Sequence, residues 1–372
     1  MRTLTAILCL LTIIVAPLCA RDTEAAENWN PELYKQIDVI TKQTGFQGEI
    51  GIDSAASAGF TTIPVGERPK DAPTNKAEAL NWRWASVTKQ VVAVLVMQEV
   101  AKGRIDLDAP VSRYLPKFQS PNARKISVRQ LLRHQSGLPN PDDTATGPDG
   151  MADYYLPDYR GSRDPLSGYC AGQPKGQPGE NWSYNNCDYI VAGALLQAVT
   201  GKSWQKLVQQ RIAKPLRLKS VKAFPTGGWT RRGTVGGKAE PAIDFAAFDA
   251  SGGLYGSVFD LLTFDQALLQ GRLLPKAQME VLWEGRPELG YIALGQWVFE
   301  APLKGCDKPT RIVERRGAIG GVQVRNFIAP DDRSIVVAFT DNDSFDFGEI
   351  WQGSGFSHDL LSAAVCTKGL SE

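Results

Sequence analysis

Two serines stand three residues before a lysine: Ser86 before Lys89, and Ser203 before Lys206. Residues three apart share a helix face, so in either pair an amine can approach a hydroxyl. An uncharged amine beside a serine is one way to make that hydroxyl a nucleophile. Other routes to hydrolysis are poorly supplied. The chain has two histidines, His134 and His358, and no Gly-x-Ser-x-Gly turn. His358 sits in the run Ser357-His358-Asp359, whose side chains point different ways at a helix start. His134 falls at a helix end before Gly137 and reads as structural. With so little histidine and no suitable cysteine spacing, no metal site and no cofactor are expected.

The surrounding elements separate the two pairs. Residues 87–101 are strongly apolar, unbroken over 91–97, and Gly103 ends them. A helix apolar on every side is a buried helix, so Ser86 is expected at the first turn of an interior helix. The unpaired N–H groups of a first turn favour nearby negative charge, as acyl transfer requires. Ser203 follows Gly201 and opens an amphipathic surface helix, so it reads as an N-cap. On the residues alone, Ser86 is either a nucleophile or another cap. To act as a base, Lys89 must be uncharged. A free lysine titrates near 10.4, and bringing it to ~7 costs roughly 4.6 kcal/mol, which burial beside a second cation can supply.

Further elements follow from caps and patterning. Asn30 and Pro31 open a first helix that Gly45 closes. Strands are expected over 46–53 and 60–65, and a short helix over 126–134 with Ser127 as cap. Helices are expected over 188–199, 203–213 and 258–269, the last with a capping box from Ser257 and Asp260. Residues 139–180 are rich in Pro, Gly and Asp and carry Tyr154, Tyr155, Tyr159 and Tyr169. Such a stretch is expected to fold over a site rather than to link domains. Late strands are expected over 291–300, 310–314, 322–329 and 334–340, then a helix over 357–366. Strands at both ends imply one sheet built from both termini around a helical insertion. Two strings are oddly alike, Arg231-Arg232-Gly233-Thr234-Val235-Gly236-Gly237 and Arg315-Arg316-Gly317-Ala318-Ile319-Gly320-Gly321, and the sequence gives no reason for it.

Composition bounds the rest. The 372 residues are 43% apolar with a net charge of +1, an ordinary globular make-up without the basic excess of a nucleic-acid surface. Residues 1–20 read as a signal peptide: Arg2, an apolar run over 4–18, then Ala20 before polar Arg21. The run is too short for a stable membrane span. Cys19 invites a lipid-anchor reading, but Leu18 stands where a small residue is wanted. A periplasmic or secreted protein is the expectation. Four cysteines follow the leader, and sequence neighbourhood favours Cys170–Cys187 and Cys306–Cys366, with free buried thiols as the alternative.

Ala85-Ser86-Val87-Thr88-Lys89-Gln90 resembles the nucleophile motif of class C β-lactamases, D-alanyl-D-alanine carboxypeptidases and related esterases. Gly103-Arg104-Ile105-Asp106-Leu107-Asp108, Tyr114-Leu115-Pro116, Leu131 to Leu138 and Ser251-Gly252-Gly253-Leu254 resemble later segments of the same family, in order. Tyr184-x-Asn186, the chain's single Tyr-x-Asn, is similar to the family's second motif. The resemblance implies an α+β fold of the β-lactamase/transpeptidase type: an antiparallel sheet flanked by helices, plus an all-α lobe. On that pattern, residues 21–372 form one catalytic domain, with an α/β lobe of roughly 21–80 and 240–372 and a helical lobe of roughly 81–239.

The resemblance also implies roles. Ser86 is the nucleophile, Lys89 its base, and Tyr184 moves protons, while Asn186 bonds the lysine or the substrate amide. The family's third motif, Lys-Thr-Gly or His-x-Gly, is absent, and Arg315-Arg316-Gly317 stands in its place. There Arg315 would bind a substrate carboxylate and depress Lys89, Gly317 would allow close approach, and the N–H groups of Ser86 and Ala318 would form the oxyanion hole. Arg231-Arg232-Gly233 is the rival placement. The substrate implied is a small molecule or short peptide, of D-alanine or β-lactam type, bearing a carboxylate. The alternatives are an esterase for neutral acyl groups, and a penicillin-binding or sensing module that never turns over.

Overall fold

The computed structural model describes residues 30–57, 59–74, 79–147 and 150–366. The expected leader, with Cys9 and Cys19, lies outside them. Strands β1 (Gly48–Asp53), β2 (Thr61–Val65) and β3 (Trp82–Arg83) come early. Short strands β4 (Lys222–Ala223), β5 (Thr234–Val235), β6 (Lys238–Ala239) and β7 (Leu254–Gly256) follow. Strands β8 (Trp297–Ala301), β9 (Thr310–Ile319), β10 (Val322–Ala329) and β11 (Ser334–Thr340) come last. The helices are α1 (Pro31–Thr44), α2 (Val87–Ala101), α3 (Val128–Leu132), α4 (Asn186–Thr200) and α5 (Trp204–Val208). They continue with α6 (Lys214–Leu216), α7 (Asp249–Gly252), α8 (Val258–Leu269), α9 (Lys276–Leu282) and α10 (Phe356–Val365).

The main sheet runs β2-β1-β11-β10-β9-β8, antiparallel throughout, so the two ends of the chain meet in it. Strand alternation sorts its side chains between two cores. Ile50, Ile52, Phe327, Val336 and Ala338 pack with Leu33 and Ile37 of α1 and Leu360 of α10. Val324, Ile335, Val337 and Phe339 face α2 and α8 on the other side. A Cβ at Gly51 would lie 2.4 Å from Val258 Cγ1, so glycine lets α8 press onto β1. Helices α3, α5, α7 and α9 gather around α2 and α4. This is the β-lactamase/transpeptidase-like α+β architecture.

Several expectations hold locally. Asn30 Oδ1 accepts from the N–H groups of Glu32 and Leu33, and Gly45 closes α1 at φ 67°. Ser127 and Gln130 form a full capping box on α3. Both disulfides join the cysteines that are neighbours in sequence, Cys170–Cys187 and Cys306–Cys366. Among the described residues, no helix is long and apolar enough to cross a membrane.

Others change. The strand expected over 291–300 shrinks to β8, because Tyr291 at φ 66° and Gly295 at φ 83° turn the chain first. β9 runs on past 314 and carries Arg315, Arg316 and Gly317 within the strand. The helix expected over 203–213 is α5 followed by a π-helical turn, Gln209–Ala213. Ser257 caps Asp260 N–H at 3.1 Å, but the Asp260 carboxylate turns to Ser220 N–H at 2.7 Å, so only half the capping box forms.

The two similar strings now have a physical reason. Each ends in a hairpin, β5–β6 and β9–β10, turning through glycine pairs with φ of 57° and 75° in one and 56° and 80° in the other. Positive φ at both turn residues is the requirement of a tight two-residue hairpin. The hairpins also touch. A Cβ on Gly233 would lie 2.1 Å from Gly320 O, and one on Gly321 would lie 2.3 Å from Thr234 O.

Candidate active site

Ser86 is presented by a strained turn. Ala85 holds φ 46°, a left-handed value that residues with a Cβ seldom adopt. The turn is pinned on both sides: Trp84 N–H donates to Leu254 O at 2.9 Å, and Leu254 N–H to Thr88 Oγ1 at 3.0 Å. α2 then leads inward with twelve of its fifteen residues buried, Lys89 included. The Ser86 hydroxyl makes no cap bond to its own helix. Instead Ser86 Oγ lies 2.6 Å from Tyr184 OH and 3.2 Å from Lys89 Nζ.

Lys89 Nζ is also 2.6 Å from Asn186 Oδ1 and 2.8 Å from Ser251 O. Both of those oxygens are acceptors only. A neutral amine has two N–H groups and one lone pair. With both hydrogens directed to Asn186 and Ser251, the lone pair is left to face the Ser86 hydroxyl. Burial, helped by the Arg315 cation and opposed by Tyr184, lowers Lys89 to about 8. Burial alone would push Tyr184 upward, but Lys89 and Arg315 outweigh it and hold the phenol below its ordinary value.

α4 begins at this point. Asn185 caps it by accepting from Cys187 N–H at 2.8 Å, which sets Tyr184 just ahead of the helix and Asn186 in its first turn. The 139–180 excursion then reaches over. Asn140 accepts from Asn186 N–H at 3.1 Å and donates to Tyr184 O at 3.2 Å. Asn186 Nδ2 lies 3.0 Å from Asp142 Oδ1 and 2.8 Å from Tyr155 OH. The Cys170–Cys187 bridge ties the excursion to the start of α4.

β8 pairs with β9 only as far as Glu314, so the rest of β9 offers an edge to Ser86. A Cβ on Gly317 would sit 2.8 Å from Ser86 N and 3.0 Å from Trp84 O, so glycine permits this approach. Alternation along β9 sends its two arginines opposite ways. Arg315 is buried beneath the nucleophile, with Nε donating to Ser86 O at 2.8 Å and Nη2 to Tyr184 OH at 3.0 Å. It does not line the cleft as expected; Arg316 does, with Trp182, Trp297, Phe248, Gln323 and Ala318 around a hollow of about 460 Å³. The rival Arg231 is engaged elsewhere, 2.7 Å from Asp341 Oδ2.

The two histidines are structural in their surroundings. His134 Nδ1 lies 3.1 Å from Asp188 Oδ2 and accepts from Asn185 N–H at 3.2 Å, with its ring against Tyr184 at 4.7 Å. Burial, then the Lys89 and Arg315 cations, hold it well below its usual range and therefore neutral. His358 belongs to α10, on the far side of the sheet. The described residues contain no cluster of three or more potential metal ligands.

The family model described as Beta-lactamase matches residues 70–347. The chain belongs to the β-lactamase family. AmpH of Escherichia coli (strain K12), a D-alanyl-D-alanine-carboxypeptidase/endopeptidase, is 25% identical over 258 residues, covering 64% of this chain and 65% of AmpH. The chain spans 60% and 65% of the length of two such curated relatives. A D-stereospecific amidohydrolase from Streptomyces sp. superposes with TM-score 0.70 at 25% identity, over 91% of this chain and 98% of that one. D-amino acid amidase from Ochrobactrum anthropi SV3 shares the fold with TM-score 0.73 at 18% identity, over 92% and 100%.

Within this β-lactamase-family chain, the structure brings Ser86, Tyr184, Asn186, Gly317 and Ala318 around one cleft, with Lys89 and Arg315 buried just behind it. Four contributors were not singled out from the sequence: Asn140, Asp142, Tyr155 and the Ser251 carbonyl. Ser251 carries a signal, since it opens a motif that resembles the family. Tyr155 lies in an excursion already expected to cover a site. Asn140 and Asp142 carry none, because their bonds to Tyr184 and Asn186 span more than 40 residues of sequence.

Proposed function

We propose that this chain is a serine hydrolase that cleaves amide or ester bonds through an acyl-enzyme on Ser86. The observation that carries the reading is the contact between the Ser86 hydroxyl and the Lys89 amine, whose two other partners accept hydrogen bonds only. In this mechanism Lys89 takes the Ser86 proton as Oγ attacks the carbonyl carbon. Tyr184, bonded to the same oxygen, passes a proton on to the leaving group. Backbone N–H groups of Ser86 and Ala318 hold the developing oxyanion, and Gly317 brings the strand close enough for this. Asn186 orients Lys89, burial and then Arg315 weaken that amine's hold on its proton, and Arg315 helps keep the phenol acidic. Water then clears the acyl group.

The names of AmpH and of the Streptomyces amidohydrolase favour short peptides or amides containing D-amino acids as substrates. The aromatic walls Trp182, Trp297 and Phe248 suit a small apolar side chain. We place the protein outside the cytoplasm, where its two disulfides would persist. Incubation with a fluorophosphonate, followed by peptide mass spectrometry, tests the reading. Label on Ser86 supports it, and label elsewhere with Ser86 untouched overturns it.

A further inference from the structure

The cleft-facing arginine is already occupied. Arg316 Nε donates to Glu314 Oε1 at 2.8 Å, and Nη2 lies 2.7 Å from the same oxygen. On its other edge, Nη1 and Nη2 meet Glu349 Oε1 and Oε2 at 2.8 and 2.9 Å. Those are the two edges by which a guanidinium grips a carboxylate with paired bonds. Both are filled by the protein's own carboxylates, and a single N–H on Nη1 remains.

Charge follows the same pattern. Arg325, the other cation lining the cleft, has Nε 3.9 Å from Glu314 Oε1. Two guanidiniums and two carboxylates thus cancel at this end. Glu349 is also held in place: it opens the turn Ile350–Gln352, bonded reciprocally with Gln352. Glu314 is buried on β9.

We infer that Glu349 is a specificity-determining residue that closes the Arg316 fork to substrate carboxylates, so the cleft takes substrates whose leaving group is neutral: carboxamides, esters or bonds inside a peptide. This rests on the acyl-transfer reading of Ser86 and narrows its substrate class. A free carboxylate at this end would have to displace Glu349 from a paired, charge-assisted contact. Exposed on one edge by a change at Glu349, Arg316 would offer a carboxylate what Glu349 now receives.

The test compares D-alanyl-D-alanine with D-alanyl-D-alaninamide, alike except for that charge. The wild type is expected to favour the amide. Glu349→Gln keeps the shape and an oxygen for the turn. It should move the ratio of kcat/KM toward the acid by at least ~10-fold, since a hydrogen bond to a charged group contributes about 1.5–3 kcal/mol. Adding Arg316→Gln to that variant should cancel the gain. A second arm reads binding alone, through Trp182 and Trp297 fluorescence in the Ser86→Ala background with the same two ligands. A shift in binding ratio without any Ser86-dependent turnover would support the role of Glu349 while defeating the hydrolase reading. A wild type that prefers the acid, or an unchanged ratio in both arms, overturns the inference.

Discussion

Ser86–Lys89 and Ser203–Lys206 share a spacing and a place at a helix start, yet their surroundings differ in every respect that matters for chemistry. Ser203 accepts from its own helix, from Lys206 N–H at 3.3 Å, and the Lys206 side chain is exposed. Ser86 makes no such cap bond, and Lys89 is 0% exposed with three polar partners. Water keeps an exposed lysine charged, and a charged amine has no lone pair to offer. Burial removes the solvent that favours the charge, and two fixed acceptors then set which way the amine points. A serine and a lysine in register are common, whereas an interior that loosens the amine's hold on its proton is not.

The widest separation between the pairs should appear in activity. Ser86→Ala should lose at least about 10³-fold in kcat for any substrate hydrolysed, while Ser203→Ala retains wild-type turnover. Equal activity in both variants would falsify the assignment of the nucleophile. Gly317→Ala probes the approach of β9. A Cβ 2.8 Å from Ser86 N must push the strand or the turn away, and displacement of about 1 Å should cut kcat roughly 10²-fold. An unimpaired Gly317→Ala would show that β9 does not help form the oxyanion site.

Charge distinguishes the pairs next. The active amine is the neutral one, so kcat/KM should rise as pH climbs through about 8. Arg315→Gln removes a cation that depresses Lys89, and the rise should move to higher pH. A pH–rate profile that stays in place would detach Lys89 from the base role.

Stability gives the smallest contrast. Lys89 titrates lower when folded, about 8 against 10.5, so the unfolded chain holds its proton more tightly. Its burial therefore costs about 3 kcal/mol below pH 8, a cost that disappears above pH 10.5. Lys89→Met removes that cost but strands the Asn186 and Ser251 acceptors, at about 1–3 kcal/mol. A net gain of about 1 kcal/mol at pH 7 is expected in urea melts, alongside lost activity. Ser203→Ala should do the reverse, losing about 1 kcal/mol of cap stability while activity stays. A Lys89→Met protein less stable than wild type at pH 7 would mean that burying Lys89 costs less than a folded pKa of about 8 implies.

Much of this was legible along the chain because the information is local. The apolar run over 87–101 declared a buried helix, the caps at Asn30, Ser127 and Ser203 declared helix starts, and the motif segments declared the family. What depended on register was not legible. Whether Arg315 or Arg316 faces the cleft turns on the parity of β9, which a one-residue slip would invert. The 291–300 segment has strand-like composition, but Tyr291 turns left-handed and delays the strand. Asp142 and Asn140 matter through distant partners, so nothing beside them in sequence announces it.

Beyond Ala318 the cleft runs on between Ile319, Gly320 and Gly321 on one side and Thr146, Met151 and Ala152 on the other. The first wall is braced by main chain against main chain, where Gly233 meets Gly320 and Gly321 meets Thr234 with no room for a Cβ. Mutation therefore has little to work with on that wall, since almost any replacement of those glycines prises the two hairpins apart. Evolutionary retuning of what fits at this end must come from the opposite wall, where single substitutions change the lining and leave the sheet untouched.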